Sequence, residues 1–314
     1  MSNVTSTQNL PMATMLASFG PDLEFAKEMA PMTSYQTGGR AKYFIAARSV
    51  GEITRSVLAA ERLGIPRFIL GGGTNLLVSD DGYDGIVIKV DVMGIRLVTP
   101  DTVRCGAGEQ LMALVEFATE HALSGLEFAA GIWGTVGGAI YGNAGAFGGE
   151  IGPLTRELTL VDGFGTVRTV GPDYGRFGYR DSYLKTTHEV VVEALFGLKP
   201  GDRDAVGAKV REVLAARDGK HPNDGMSAGC FFKNIPDPNE KFGKLPAGRL
   251  LDEIGAKGMA VGGAKVFDKH ANIIVNTGTA TSKEIRQLAD ILKEKVKARF
   301  GIELQEEVIQ LGRF

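Results

Sequence analysis

The 314-residue chain is long enough for two or three domains, and its 44% hydrophobic and 23% charged residues are ordinary for a globular protein. A formal net charge of −2 excludes an overall basic field for nucleic acid or an anionic membrane. The chain has two cysteines, Cys105 and Cys230, without CxxC spacing, which argues against a disulfide framework or a metal site. The N-terminus lacks the basic and apolar regions of a signal peptide, so we expect a cytoplasmic protein.

The first half of the chain predicts helices that alternate with strands. Residues 1–28 are weakly patterned and predict a loose arm or a short helix. A helix is expected from Ser49 to Gly64, because Ser49 and Glu52 have the spacing of a capping box. The apolar runs RFILG, GIVIKV and TVRCGAG predict strands, and another helix is expected over residues 109–122. This opening order is typical of α/β structure.

The second half begins with β-rich runs and ends with a long helix. LTLVD, TVRTV and HEVVVEALFGLK predict strands, and Pro200-Gly201 marks a boundary before a helix over residues 202–217. Thr281 and Glu284 form a second capping-box pattern before a helix that Gly301 ends. The run IELQEEVIQL predicts a closing strand.

Glycine is the compositional outlier, with 43 residues, about twice the usual ~7%. The first glycine-rich turn, ILGGGTNLLV, follows a predicted strand and is rich in main-chain N–H donors, which suits either an ordinary tight turn or a phosphate site. It is not a Walker loop, because no Gly-Lys-Ser/Thr follows, and it fails the Rossmann fingerprint because Leu76 stands at the third glycine position.

The second glycine-rich segment, GIWGTVGGAIYGNAGAFGGE, lies at 131–150 within a stretch that has no charged residue over 128–149. That length matches a transmembrane span, but eight glycines and Asn143 make it a poor one, so we predict no membrane insertion. Two such segments in one chain favour an extended ligand that approaches the backbone closely, such as the dinucleotide FAD.

In these segments and in several other motifs, the sequence resembles the UDP-N-acetylenolpyruvoylglucosamine reductase family. The matching motifs occur in order as TSYQTGGRAKYF, LGGGTNLLVSDDGYDGIVI, GLEFAAGIWGTVGGAIYGNAGAFGGE, FGYRDSYLK, SAGCFFKN, AGRLLDEIGAKGMAVGGAKV, HANIIVN and IELQEEV. They span residues 30–311, and the direct passage from FGYRDSYLK to HEVVVEALF resembles the shorter type II form. Trp133 replaces the usual proline, and Cys230 replaces a serine found in many members.

The resemblance implies an α+β fold with a PCMH, or vanillyl-alcohol-oxidase-type, FAD-binding domain. We expect an N-terminal arm at 1–28 and this domain at 29–200, in subdomains of about 29–90 and 91–200. An α/β substrate-binding domain would follow at 201–303, and a C-terminal strand at 304–314 would carry a catalytic glutamate.

The implied reaction uses NADPH and FAD to reduce UDP-N-acetylglucosamine enolpyruvate to UDP-N-acetylmuramate. Hydride goes from flavin N5 to C3 of the enolpyruvyl group, and a proton goes to C2. Negative charge that develops at C2 and the carboxylate needs cationic stabilisation and a proton donor. The resemblance assigns these roles to Arg180, Cys230 and Glu307.

Each of the three residues also has a simpler interpretation. Arg180 suits a surface arginine beside Asp181, and Cys230 suits a small buried apolar residue. Glu307 suits a solvated strand carboxylate; it is preferred over Glu306 by its spacing before Val308. As a donor, Cys230 fits chemically, since a free thiol with a pKa of about 8.5 is mostly protonated at neutral pH.

The resemblance also predicts binding residues. The FAD set comprises Gly71, Gly72, Gly73, Thr74, Asn75, Leu76, Leu77, Gly131, Thr135, Gly137, Gly138, Ala139, Asn143, Ala144, Gly145 and Ala146. The substrate set comprises Arg217, Lys220, Gly229, Lys233 and Asn234. No histidine lies in either glycine-rich segment, so we expect non-covalent FAD, and His270 is predicted to be structural.

Two other functions remain open from the sequence. One is an FAD-dependent oxidase of the same fold, and the other is a non-catalytic flavin- or nucleotide-binding sensor with Cys230 as its redox switch. We expect a UDP-sugar enolpyruvyl ether as the ligand, and no nucleic acid, membrane or obligate protein partner.

Overall fold

The computed structural model describes residues 11–222, 226–240 and 243–314. The chain forms two compact units that interleave along the sequence. The first unit comprises the residues up to Lys27, Ala41–Gly72 and Asp84–Leu214. The second comprises Glu28–Arg40, Gly73–Tyr83 and Ala215–Phe314. The predicted functional domain bounds stay a prediction, because compact units need not coincide with functional domains.

The elements up to residue 170 are, in order, α1 Met12–Phe19, β1 Glu24–Glu28, β2 Arg40–Ala47, α2 Val50–Leu63, β3 Arg67–Leu70, β4 Leu76–Val78, β5 Tyr83–Val90, β6 Ile95–Thr99, β7 Thr102–Gly106, α3 Leu111–Glu120, β8 Leu123–Ser124, α4 Val136–Tyr141, β9 Gly145–Ala146, β10 Gly149–Glu150, β11 Thr155–Val161 and β12 Val167–Val170.

The remaining elements are α5 Leu184–Thr187, β13 Val190–Gly197, β14 Lys199–Pro200, α6 Arg203–Asp218, β15 Ser227–Cys230, β16 Ile235–Pro236, β17 Lys244–Leu245, α7 Ala247–Glu253, β18 Ala260–Val261, β19 Ala264–Val266, β20 Ile273–Asn276, α8 Ser282–Phe300 and β21 Ile309–Leu311. Short 3₁₀ turns lie at Ala30–Met32, Glu127–Ala129, Gly152–Leu154 and Pro172–Gly175.

The first unit contains a four-stranded sheet in the order β1-β2-β5-β3 and a five-stranded sheet in the order β12-β11-β13-β7-β6. Strands β3 and β5 are parallel, as expected for a strand–helix–strand unit, whereas every pair in the larger sheet is antiparallel. Alternate side chains along β13 point into a core that also receives Met15 and Phe19 of α1. The short-helix alternative for the N-terminal segment is therefore confirmed for α1, while residues 1–10 lie outside the described part of the chain.

The second unit contains an antiparallel sheet in the order β15-β20-β19-β18, together with the parallel pair β21-β4. Helix α8 contributes Ile285, Leu288, Leu292 and Val296 to the core of this unit. Helices and mainly antiparallel sheets together confirm the predicted α+β class.

Local signals predicted several helix ends and failed at others. Ser49 Oγ accepts the Glu52 N–H at 3.2 Å, but the Glu52 carboxylate accepts the N–H of Arg48 at 2.7 Å, so the expected capping box is half formed. The full capping box at Thr281 and Glu284 is confirmed. The helix predicted over residues 109–122 is shorter in the structure, where it is α3, Leu111–Glu120. Ala122 lies beyond its end and adopts φ +54°.

The predicted closing strand is also shorter than expected. Only Ile309–Leu311 forms a regular strand, and it pairs with β4 in parallel. Before it, Glu306 forms an isolated bridge with Phe232, so this stretch pairs with its neighbour through single contacts instead of a continuous ladder.

The capping box of α8 gives a stability test. Thr281→Ala removes the hydroxyl that accepts the Glu284 N–H at 3.2 Å, and we expect a loss of about 1 kcal/mol in the free energy of unfolding. Thr279→Ala changes an exposed threonine two residues earlier and should stay within about 0.5 kcal/mol. Equal effects of the two substitutions in urea unfolding would contradict the role of the cap.

Candidate functional site

In the first unit, the two predicted glycine-rich segments lie against each other. A Cβ atom on Gly71 would come within 2.5 Å of Thr135 Oγ1, and one on Gly72 within 2.9 Å of Gly134 Cα. Gly134 itself adopts φ +120°, a conformation that strongly favours glycine. Glycine is required at these positions because the two backbones cross almost in contact.

The second segment leads directly into the short helix α4. Thr135 Oγ1 accepts the Gly138 N–H at 3.3 Å, which caps the helix. A Cβ atom on Gly137 would come within 3.0 Å of Cβ of Ala107, so helix and loop are tightly packed on this side. Ala107 lies at the end of the predicted strand TVRCGAG, and the sequence analysis gave it no role.

Gly138 differs from these glycines because the protein itself does not require it. It is exposed, it has a helical backbone, and the nearest atom to an added Cβ is Thr135 Oγ1 at an ordinary 3.5 Å. Glycine in a helix costs roughly 0.5–1 kcal/mol relative to alanine. The cofactor contact predicted for Gly138 would account for that cost, and it stays a prediction.

Asn143 joins the second glycine-rich segment to the loop that carries Arg180. The Asn143 amide is buried and donates to Gly178 O at 2.8 Å and to Glu150 Oε2 at 3.0 Å, while its oxygen accepts the Gly152 N–H at 3.0 Å. The side chain thus braces the protein itself, and the cofactor contact predicted for Asn143 stays a prediction. Ala144, Gly145 and Ala146 follow in a small hairpin of β9 and β10.

Arg180 lies in a tight turn in the same unit. The main chains of Gly178 and Asp181 exchange hydrogen bonds of 3.0 and 3.1 Å, and Arg180 between them adopts φ +52°. That conformation costs an L-residue roughly 1–2 kcal/mol. Lys185 Nζ donates to Arg180 O at 2.5 Å, and Ser182 Oγ donates to the main chain of α4 at 2.7 Å. The turn is strained and fastened to the glycine-rich segment, as functional turns often are.

Tyr141, at the end of α4, is a residue that the sequence analysis missed. Burial, with a smaller contribution from the charge of Asp181, raises the pKa of this phenol. The ammonium group of Lys185 lies 5.7 Å from the centre of its ring. Tyr141 is three residues after Gly138, and this spacing places both residues on one side of the helix. That spacing is the sequence signal that could have drawn attention to Tyr141.

In the second unit, Cys230 ends strand β15 opposite Ile273 of β20. The strand carries a bulge at Gly229, whose φ of +73° requires glycine although no atom lies within 4 Å of an added Cβ. Cys230 is half-buried, whereas Phe231 and Phe232 are fully buried in the core. A small buried core residue therefore describes Cys105 better than Cys230, because Cys105 is fully buried.

Asn272 holds the two phenylalanines that follow Cys230. Its main-chain oxygen accepts the Phe231 N–H at 2.7 Å, its side-chain oxygen accepts the Phe232 N–H at 2.9 Å, and its amide donates to Phe232 O at 2.8 Å. This buried polar clamp fixes the main chain next to Cys230. The 40-residue separation leaves no local sequence signal for it.

The segment of Glu307 pairs with the residues that follow Cys230 in the second unit. The Glu307 N–H donates to Phe231 O at 2.8 Å, and the Lys233 N–H donates to Gln305 O at 2.8 Å. The structure thus brings two of the three predicted catalytic residues onto adjacent backbone segments. Arg180 belongs to the other unit, and its action on the same substrate stays a prediction.

Neighbouring Glu306 has a different environment. Its carboxylate pairs with Arg286 Nη1 at 3.1 Å and with Lys293 Nζ at 2.9 Å, both on α8, and it also accepts from the Gln310 amide. Because the Glu306 side chain is engaged in this ion-pair network, the network supports the choice of Glu307 for chemistry.

Residues of the first glycine-rich turn that belong to the second unit have mixed environments. Gly73 is required by the fold, since an added Cβ would lie 2.0 Å from Met32 O. Leu76 and Leu77 are buried, so any cofactor contact from them would use the main chain. Asn75 donates through Nδ2 to Glu307 O at 3.1 Å. The cofactor roles of Gly73, Thr74 and Asn75 stay predictions.

Two of the predicted substrate-binding cations, Arg217 and Lys220, lie near the end of α6. Burial is the largest cause that lowers the pKa of His221 to about 4, and the neighbouring Arg217, His270 and Lys220 lower it further. His270 Nδ1 accepts the Asn272 N–H at 3.2 Å near the start of β20, which confirms its structural role.

Asn234, the last predicted substrate residue, contacts helix α7. Its Oδ1 accepts the Ala247 N–H at 3.2 Å, so part of the side chain serves the start of that helix. Lys233 is half-buried beside it. Across the described ranges, no cluster of three or more His, Cys, Asp or Glu side chains is arranged to hold a metal, and no helix is long and apolar enough to cross a membrane.

Two family models match the chain. The model described as "UDP-N-acetylenolpyruvoylglucosamine reductase, C-terminal domain" matches residues 221–311, and the one described as "FAD binding domain" matches residues 41–171.

Similar proteins match over nearly the whole chain. UDP-N-acetylenolpyruvoylglucosamine reductase 2 of Symbiobacterium thermophilum is 37% identical over 302 residues, which cover 95% of this chain and 96% of that protein. The reductase of Streptococcus thermophilus is 37% identical over 93% of this chain and 94% of its own length. The crystal structure of UDP-N-acetylenolpyruvylglucosamine reductase from Thermus caldophilus matches with a TM-score of 0.77 and 31% identity, covering 92% of this chain and 98% of that one.

Gly138 gives a test of cofactor binding. We expect Gly138→Ala to stabilise the protein without FAD by about 0.5–1 kcal/mol, through helix propensity, and to weaken FAD binding about tenfold, because the new methyl group crowds the ligand. Gly207→Ala, at a helix-interior glycine of the same unit, is the matched control and should leave FAD affinity unchanged. Unchanged FAD affinity of Gly138→Ala in calorimetric titration would contradict this role.

His221 gives a test of pH dependence. Its folded-state pKa of about 4 is below the reference value of about 6.5, so between these values the unfolded state binds more protons. Its contribution to stability is therefore present above pH ~6.5 and is lost as pH falls towards 4. We expect His221→Gln to show a smaller fall in melting temperature between pH 7 and 4.5, whereas His121→Gln, at an exposed position, should match the unaltered protein.

Proposed function

The chain belongs to the UDP-N-acetylenolpyruvoylglucosamine reductase family, and from this membership we propose how its own residues carry out the reaction. The reaction is the NADPH-dependent, FAD-mediated reduction of UDP-N-acetylglucosamine enolpyruvate to UDP-N-acetylmuramate, a step in peptidoglycan precursor synthesis. The family, the FAD-binding fold and this activity, all predicted from the motifs, are confirmed by the comparisons.

The glycine-rich surface of the first unit would hold FAD. Gly71 and Gly72 keep side chains out of the region where Gly134 and Thr135 approach the first turn, and Gly137 lets α4 pack against Ala107. When bound, FAD would supply the hydride-transfer chemistry of the reaction. The chain's own residues must then manage the charge and the proton.

Arg180 would bind the substrate carboxylate and stabilise the negative charge that develops beside it. A guanidinium group stays charged and presents paired N–H donors that match a carboxylate. Its strained turn, with φ +52°, is bonded through Asn143 and Lys185, which would limit reorientation during the reaction. Preorganised donors of this kind stabilise a transition state because they need not reorganise.

Cys230 would donate the proton to C2. The S–H bond breaks as the C2–H bond forms, which leaves a thiolate that solvent protonates again. The observation that carries this assignment is the half-buried position of Cys230 on a strand whose next residue, Phe231, is held by Asn272 and accepts the Glu307 N–H. Glu307 would act on the developing enol by hydrogen bonding or as an acid.

The UDP diphosphate would bind near Arg217, Lys220 and Lys233. Arg217 and Lys220 lie close enough together to contribute, after burial, to the lowered pKa of His221, which supports their part of this placement. The predicted cytoplasmic location and the absence of an obligate protein partner stay predictions.

Separate half-reactions test the assignment of Cys230. Under anaerobic conditions, NADPH reduces the bound flavin, substrate is added, and flavin absorbance reports reoxidation. We expect Cys230→Ala to slow reoxidation on the order of 10²–10⁴-fold while flavin reduction by NADPH is retained. Cys230→Ser keeps a hydroxyl donor and should lose less.

Cys105→Ala is the matched control, because it removes the other thiol from a fully buried position in the first unit. Normal reoxidation in Cys230→Ala would exclude Cys230 as the donor. If the unaltered protein consumes oxygen without NADPH, the oxidase alternative is favoured. If it binds FAD but never oxidises NADPH in the presence of the substrate, the sensor alternative is favoured.

A further inference from the structure

Asn75 makes two hydrogen bonds to the chain segment that carries Glu307. Its Nδ2 donates to Glu307 O at 3.1 Å, and its main-chain oxygen accepts the Ile309 N–H at 3.1 Å. Both bonds lie within the second unit, and the two partners are 232 residues apart in sequence. The side-chain bond is specific to asparagine, whereas the main-chain bond would survive substitution.

These bonds hold Glu307 from one side while the Cys230 strand holds it from the other. The Glu307 N–H donates to Phe231 O at 2.8 Å, and the Glu307 carbonyl accepts from Asn75. Both main-chain polar groups of this residue are therefore occupied by fixed partners. The next residue, Val308, is buried, which further limits movement.

The rest of the segment is less regular, so the Asn75 bond matters more. Regular pairing with β4 begins only at Ile309, and before it Glu306 makes a single bridge to Phe232. The ion pairs of Glu306 act through its side chain, on the residue before Glu307. At Glu307 itself, the Asn75 amide fixes the carbonyl and Phe231 fixes the N–H.

We propose that Asn75 is a positioning residue for Glu307: its side-chain amide fixes the Glu307 peptide so that the carboxylate is presented correctly beside Cys230. This inference rests on the proposed catalytic role of Glu307. It assigns to an asparagine of the GGGTN turn a task other than contact with the cofactor. Asparagine suits the task because its amide is a neutral donor, whereas an aspartate would set a carboxylate against the Glu307 carbonyl.

The test compares Asn75→Asp with Asn276→Asp. Asn276 is a matched control: it is buried in the same unit, and its Nδ2 donates to a distant main-chain oxygen, that of Tyr35, at 2.8 Å. Both substitutions should lower the melting temperature. At saturating FAD, only Asn75→Asp should slow substrate-dependent flavin reoxidation, on the order of 10²-fold, as expected for a misplaced catalytic group. Flavin reduction by NADPH should be unchanged in Asn276→Asp, and in Asn75→Asp it should fall much less than reoxidation.

Asn75→Ala removes the same donor without adding charge, and it replaces Asn75→Asp if that variant does not fold. A double-mutant cycle with Glu307→Gln then identifies the route of the effect. If Asn75 acts through Glu307, its substitution should cause no further loss of reoxidation rate when Glu307 is already glutamine.

Three results would overturn the inference. The first is that the losses of the two substitutions multiply in the double variant. The second is that saturating FAD restores the reoxidation rate of the Asn75 variant. The third is that Asn276→Asp slows reoxidation as much as Asn75→Asp does. If Glu307→Gln alone has a normal rate, the role of Glu307 and the inference both fail. NADPH-dependent reduction of the UDP-sugar by the unaltered protein would still support the proposed reaction in that case.

Discussion

The main-chain hydrogen bond from Glu307 to Phe231 sets how two distant segments of the second unit are aligned. It joins the peptide of Glu307 to the residue that follows Cys230. The bond is secured on both sides: Phe231 and Phe232 are anchored in the core and by Asn272, while the Glu306 side chain is held by two cations of α8. Buried main-chain groups must be paired, so breaking this register would carry a cost at each of these points.

The first unit is organised by a different constraint, the close crossing of two backbones. Gly71 and Gly72 face Thr135 and Gly134 at distances that no side chain could occupy. Where the protein itself demands glycine, the residue says little about a ligand. Gly138 is different because the packing would accept alanine there, so the fold alone does not explain the glycine.

The strain at Arg180 is supported by polar contacts instead of apolar packing. Lys185 bonds its carbonyl, and Asn143 bonds the carbonyl of Gly178 at the start of the turn. A left-handed arginine persists only when neighbouring bonds over-determine it, and such strain is common where a side chain must be presented in one orientation. The polar clamps of the two units, Asn143 and Asn272, thus have the same physical role, because each buries a fully bonded amide next to a proposed functional residue.

The sequence by itself determined the features that depend on near neighbours. Periodicity and end signals located α2, α6 and α8, including the capping box at Thr281 and the glycine end at Gly301. Alternating apolar residues located β11 and β13, and the ordered motifs identified the family and the FAD-binding fold.

Only the tertiary structure decided which polar side chains act as clamps. Asn75, Asn143 and Asn272 look alike in the sequence, and Glu306 looks like Glu307. Their partners are distant in sequence, as with Asn75 and Glu307, so no local pattern reports them. The short β21 has the same cause, because the length of a strand depends on whether another segment offers it a continuous row of partners.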